Sequence, residues 1–235
     1  MKALIQKWGI TLYILLLSIH LYAQILGAQF SSLQFITKAL LLPILMLFIA
    51  VQEYNEQSPK GKWLVLLAML GSFLGDVLLT NESYFILGMV AFMTTHIFNI
   101  ILFSKINALG HPKSTKFKLF SIVLVAFCVL IYFKLQSAMG TLIYPILVYM
   151  TLICTAAIMA IHAGGNIKAE LISKLFWFPG MLFFISSDTV LAFNKFDWSI
   201  HHPIKNIGLV TMLTYGIAQL LLAKGYQLYF AKKGE

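Results

Sequence analysis

Charge is scarce in this chain, and arginine is missing outright. Only 11% of its 235 residues are charged, all seventeen basic residues are lysine, and the acids number eight. A soluble globular domain carries about 25% charged residues, so that class is excluded. The net charge of +9 raises the question of nucleic acid. However, no basic stripe interleaved with aromatics is present, and nucleic-acid binding is not expected. Cysteine is also rare: Cys128 and Cys154 belong to no CxxC or zinc spacing and read as small apolar packing residues. The histidines lack metal-ligand spacing, so neither metal nor cofactor is expected. There is no GxSxG elbow, P-loop, Rossmann fingerprint or HExxH motif. Any chemistry must therefore come from acid–base groups.

What the chain has in abundance is apolar sequence, 60% of its residues. The apolar residues fall in long runs, several near the ~20 residues that cross ~30 Å of hydrocarbon as a helix. The fold class is all-α: a polytopic membrane bundle of eight transmembrane helices, with spans near 8–26, 33–51, 63–80, 84–104, 118–134, 141–162, 172–193 and 205–229. Turn-forming segments separate them, among them Asn81-Glu82, Asn107 to Ser114, Gly164-Gly165-Asn166 and Asp197 to Pro203. Lys2 and Lys7 ahead of an apolar run give the N-terminus the look of a signal peptide. The run from Trp8 to Leu26 is too long for that, and His20, Tyr22 and Gln24 interrupt its end, so it reads as a retained first span. Residues 1–235 form a single membrane domain on this reading. With the N-terminus inside, thirteen lysines fall on inner segments. Only Lys134, Lys195 and Lys205 fall on outer loops, and Lys38 lies within the second span. That bias predicts that both termini lie in the cytoplasm; if the host is bacterial, the membrane is the plasma (inner) membrane.

The two halves resemble each other. Gly88-Met89-Val90-Ala91-Phe92-Met93-Thr94-Thr95-His96-Ile97-Phe98-Asn99 aligns with Gly208-Leu209-Val210-Thr211-Met212-Leu213-Thr214-Tyr215-Gly216-Ile217-Ala218-Gln219. Leu42-Pro43-Ile44-Leu45 aligns with Tyr144-Pro145-Ile146-Leu147. Their common order predicts two parallel four-helix repeats, about 8–104 and 118–229, related by an axis along the membrane normal.

Asp76 follows Gly75 in the third span and Asp188 follows Ser187 in the seventh, one acid per half. A carboxyl group inside a membrane is costly and marks a functional site by default. The bland alternative for Asp76 is a packing residue bonded to Ser72 one turn away. Lys38 either neutralises one acid or snorkels to the interface. His96 and Asn99 share one helix face, as do Tyr215 and Gln219, and Tyr144 starts the sixth span at a similar depth. The expected site joins catalytic Asp76 and Asp188 to Lys38, His96, Asn99, Tyr144, Tyr215 and Gln219 as substrate-binding groups, in one pocket opening to the outer leaflet. Gly71 and Gly75 read as a small-xxx-small contact. His20 reads as structural or interfacial, and His201 and His202 as solvated loop residues.

At these residues the chain resembles the lysoplasmalogenase family, the YhhN-like integral membrane hydrolases. The resemblance rests on Lys38 to Pro43, Gly75 to Leu79, Gly88 to His96, Ser187 to Ala192 and Tyr215 to Gln219, in that order, and covers nearly the whole chain. Ala39 stands where the family often has proline, and Asn99 where tyrosine is common. The resemblance implies hydrolysis of the 1-alkenyl (vinyl) ether of a lysophospholipid, the lysoplasmalogen. The products are a fatty aldehyde and glycerophosphoethanolamine or glycerophosphocholine. Two other classes fit the same acids: a proton-coupled lipid or small-molecule transporter or scramblase, and a non-catalytic lysolipid-binding protein. Release of aldehyde in detergent separates the hydrolase from a carrier, which moves its substrate intact.

Overall fold

Glycine and proline set the joints of the bundle in the computed structural model, which describes residues 2–54, 59–107, 115–198 and 206–231. Helix α1 (Lys2–Leu26) stops at Gly27, whose φ of 92° lies in the left-handed region open to a residue without Cβ. The Gln34 amide donates to the carbonyls of Ala23 and Gly27, fixing the corner with α2 (Ser31–Val51). Next come α3 (Pro59–Leu78), α4 (Phe85–Ile106), α5 (Thr115–Leu135) and α6 (Ile143–Ala163). Helix α7 (Phe178–Phe193) is flanked by two widened π turns, Ser173–Trp177 and Asn194–Trp198. Pro179 explains the first: its ring collides with the carbonyl four residues back, and widening that turn relieves the collision. Helix α8 (Ile207–Phe230) completes the set.

All eight are long and apolar enough to cross a membrane, so the protein is an integral, multi-pass membrane protein. The helices match the eight expected spans. Helix α1 begins at Lys2 rather than Trp8, so the helix runs through the lysine-flanked residues ahead of the apolar run. The expected breaks at 55–58, 108–114 and 199–205, with His201 and His202, lie outside the described residues. Large apolar side chains such as Leu130, Ile122 and Phe133 of α5 face outward, as lipid-facing surface should.

Equivalent neighbours pack in both halves: α1 on α2 and α5 on α6, α2 on α3 and α6 on α7, α3 on α4 and α7 on α8. The halves meet where α4 packs on α6 and where α8 packs on α1 and α2. Both described chain ends lie at one end of the bundle, where Lys2 pairs with Glu53 at 3.0 Å and Tyr54 bridges Ala231. At that end Asn107 and Asn166 donate to the His162 and Ile106 carbonyls. They satisfy helix C-terminal acceptors that would otherwise lack partners. Helix α5 is held more loosely, mainly through α6.

Candidate functional site

Close helix approach brings Asp76 to the centre. A Cβ on Gly71 would lie 2.8 Å from the Ala91 carbonyl oxygen, and one on Gly75 would lie 2.5 Å from the Phe92 ring. Only glycine lets α3 and α4 run this near each other, as the small-xxx-small reading anticipates. Asp76 is then buried, with both carboxyl oxygens engaged. Tyr215 of α8 donates to Oδ2 at 2.7 Å, and the Lys38 ammonium of α2 lies 3.8 Å from Oδ1. Ser72 does not take the role of Asp76's partner; its hydroxyl meets Thr95 and accepts from Gln219.

Asp188 sits on α7 in a different setting. Its neighbour Ser187 donates to the Thr211 carbonyl at 3.0 Å, clamping α7 to α8. Tyr149 of α6 donates to Asp188 Oδ2 at 2.5 Å, and the Tyr149 oxygen lies 3.3 Å from His96 Nε2. With the phenol proton given to the carboxyl, His96 acts as the donor at Nε2. The two acids belong to one connected cluster. The Tyr215 ring stacks edge-on against Phe92 and Phe184, and Phe184 stacks against His96 at 4.9 Å.

Asp188 also lines a cavity of about 850 Å³, its open mouth included. Within it, about 100 Å³ is free to a water-sized sphere, a slot narrower than a typical enclosed small-molecule chamber. Apolar side chains of α4, α5, α6 and α7 make the wall, among them Met89, Phe92, Cys128, Ile131 and Met150. Toward the end opposite the chain termini it is lined by Phe85, Leu135, Met139, Lys195 and Phe196. Asp76 does not line it.

The expected binding residues divide. Lys38 and Tyr215 touch Asp76, and His96 touches Tyr149. Asn99 and Gln219 instead line a second, smaller space with Ser72, Thr95, Tyr226 and the apolar side chains of Ala68, Met69, Leu222 and Ala223. There Tyr226 donates to Asn99 at 2.7 Å and Gln219 donates to Ser72 at 3.0 Å. The expectation for Tyr144 is corrected: it is 76% exposed on the outer surface of α6. Tyr149 is the α6 phenol that reaches an acid. Depth would have found it, because Tyr149 lies about 8 Å further along α6 at 1.5 Å per residue, nearer the level of Asp188. Lys195, a bare loop lysine in the sequence, is the other missed group.

His20 is buried and bonded to Thr37 and Gln24, a structural role. No group of histidines, cysteines and acids suited to a metal occurs among the described residues.

The family model described as the YhhN family matches residues 33–226, from the second span to the last. Neither a curated protein nor a solved structure matches the chain.

Proposed function

The chain belongs to the YhhN family, the lysoplasmalogenase family, and from that premise we propose that it hydrolyses the vinyl ether of lysoplasmalogens with Asp188 as the acid and Asp76 as the anion. The observation that carries the assignment is the unequal engagement of the two carboxyl groups. Asp76 has a donor on one oxygen and a cation near the other, an environment that favours a fixed negative charge. Asp188 has Tyr149 on Oδ2 only and opens on the apolar cavity. The transferable proton belongs on Oδ1, the oxygen Tyr149 leaves free. Environments that set two carboxyls apart in this way allot the acid and base roles.

Asp188 protonates the β-carbon of the alkenyl ether, and positive charge develops on the oxocarbenium carbon and oxygen. The charge of Asp76 stabilises that cation from behind the Phe92 and Tyr215 rings, in a setting with little water to screen it. Water adds to the oxocarbenium carbon and returns a proton to Asp188. The hemiacetal then breaks its bond to the glycerol oxygen, giving aldehyde and the freed hydroxyl.

The test is aldehyde release by purified protein supplied with 1-alkenyl lysolipid. Wild type is expected to turn over, and Asp76→Asn and Asp188→Asn each to lose at least about a hundredfold, the contribution of a positioned acid or charge. Full activity in either folded variant removes the corresponding role. Transfer of intact lipid across a liposome without aldehyde favours the transporter reading.

A further inference from the structure

We propose that Lys195 is the phosphate anchor of the cavity, so that the site selects lipids carrying a phosphorylated headgroup; this rests on the lysolipid reading above. One face of the seventh span, Asp188, Leu191, Ala192, Lys195 and Phe196, forms a continuous strip of the cavity wall. Asp188 and Lys195 are the two charged residues in that lining. Lys195 is half-buried, and its ammonium sits 4.4 Å from the centre of the Phe85 ring. No carboxylate pairs with it among the described residues. A cation held over an aromatic face in the wall of an apolar cavity is a ready partner for an anion.

The spacing fits one ligand in particular. Asp188 and Lys195 lie two helical turns apart, about 10 Å along the axis. Helical side chains lean toward the N-terminus, which on this helix is the direction of the acid. In a lysophospholipid the ether oxygen and the phosphorus are about 6 Å apart across the glycerol at ordinary bond lengths. An ether bond at Asp188 therefore places the phosphate within reach of Lys195. The π turn at Asn194–Trp198 carries Lys195 and Phe196, and such turns often occur at functional sites.

Equilibrium binding separates this from catalysis. The probes are a saturated 1-alkyl lysophosphatidylethanolamine, which has no vinyl ether to cleave, and the matched 1-alkylglycerol, which has no phosphate. Wild-type protein is expected to bind the phospholipid at least about tenfold more tightly, a factor typical of one partly desolvated charge contact. Lys195→Gln should erase that preference while leaving alkylglycerol binding unchanged, and Lys195→Arg should keep it. Equal binding of the two probes by wild type, or an undiminished preference in folded Lys195→Gln, overturns the proposal. Absence of aldehyde release with the binding preference intact would count against the hydrolase reading alone.

Discussion

At the residue scale, the site depends on how few polar groups the bundle admits and how completely each is used. Tyr149 has one proton, and it goes to Asp188. Tyr149→Phe should therefore lower kcat for vinyl-ether cleavage by about tenfold to a hundredfold, the worth of a hydrogen bond to a charged or charge-developing group, and also lower the unfolding midpoint, because Asp188 and His96 both lose their partner. Tyr144→Phe should change neither, because Tyr144 projects from the bundle. A large loss in Tyr144→Phe would contradict this placement of α6. The contrast also marks the limit of the sequence. Asp76, Asp188, Lys38, His96 and Tyr215 stand out because polarity inside an apolar run is rare. Tyr149 does not, since tyrosine is common near membrane interfaces and only its depth and rotation on α6 bring it to an acid. Lys195 was legible only as an orientation signal; that it lines a cavity shows only once the seventh span is packed against α4, α5 and α6.

At the element scale, the cavity exists because the two halves are packed unequally. Helix α1 closes on α8: Tyr13 donates to the Gly216 carbonyl, and a Cβ on Gly216 would meet Leu17 at 2.5 Å. In the alignment of the two halves, the position matching Gly216 is His96. Helix α5 makes no comparably close approach to α4, and the space between them is the cavity that Asp188 faces. Number, order and approximate ends of the helices were readable from hydropathy alone, because lipid demands a continuous apolar span. This asymmetry was not, because close packing depends on which single glycine faces which single leucine. Gly216→Val should push α1 off α8 and destabilise the protein by about 1–3 kcal/mol, seen as a lower unfolding midpoint in detergent. Since Tyr215 is the adjacent residue, activity should fall as well. A variant as stable as wild type would show that α1 is a loose appendage.

At the scale of the whole molecule, Lys195 and the chain termini lie at opposite ends, so the lysine distribution bears on which leaflet would supply the substrate. The loops at the terminal end are rich in lysine, and those at the Lys195 end have few. The positive-inside rule therefore predicts a cytoplasmic terminal end and a Lys195 end directed to the outer leaflet. In that orientation the proposed phosphate contact draws on outer-leaflet lipid, with the single chain along the apolar wall between α5 and its neighbours. Exposed positions permit a direct check on a background lacking Cys128 and Cys154. Ser83 lies in the turn between α3 and α4 at the Lys195 end, and Lys168 lies between α6 and α7 at the terminal end. A membrane-impermeant maleimide should label Ser83→Cys in intact cells and Lys168→Cys only after permeabilisation. The reverse pattern would invert the bundle and make the inner leaflet the source of lipid, with the geometry of Asp76, Asp188 and Lys195 unchanged.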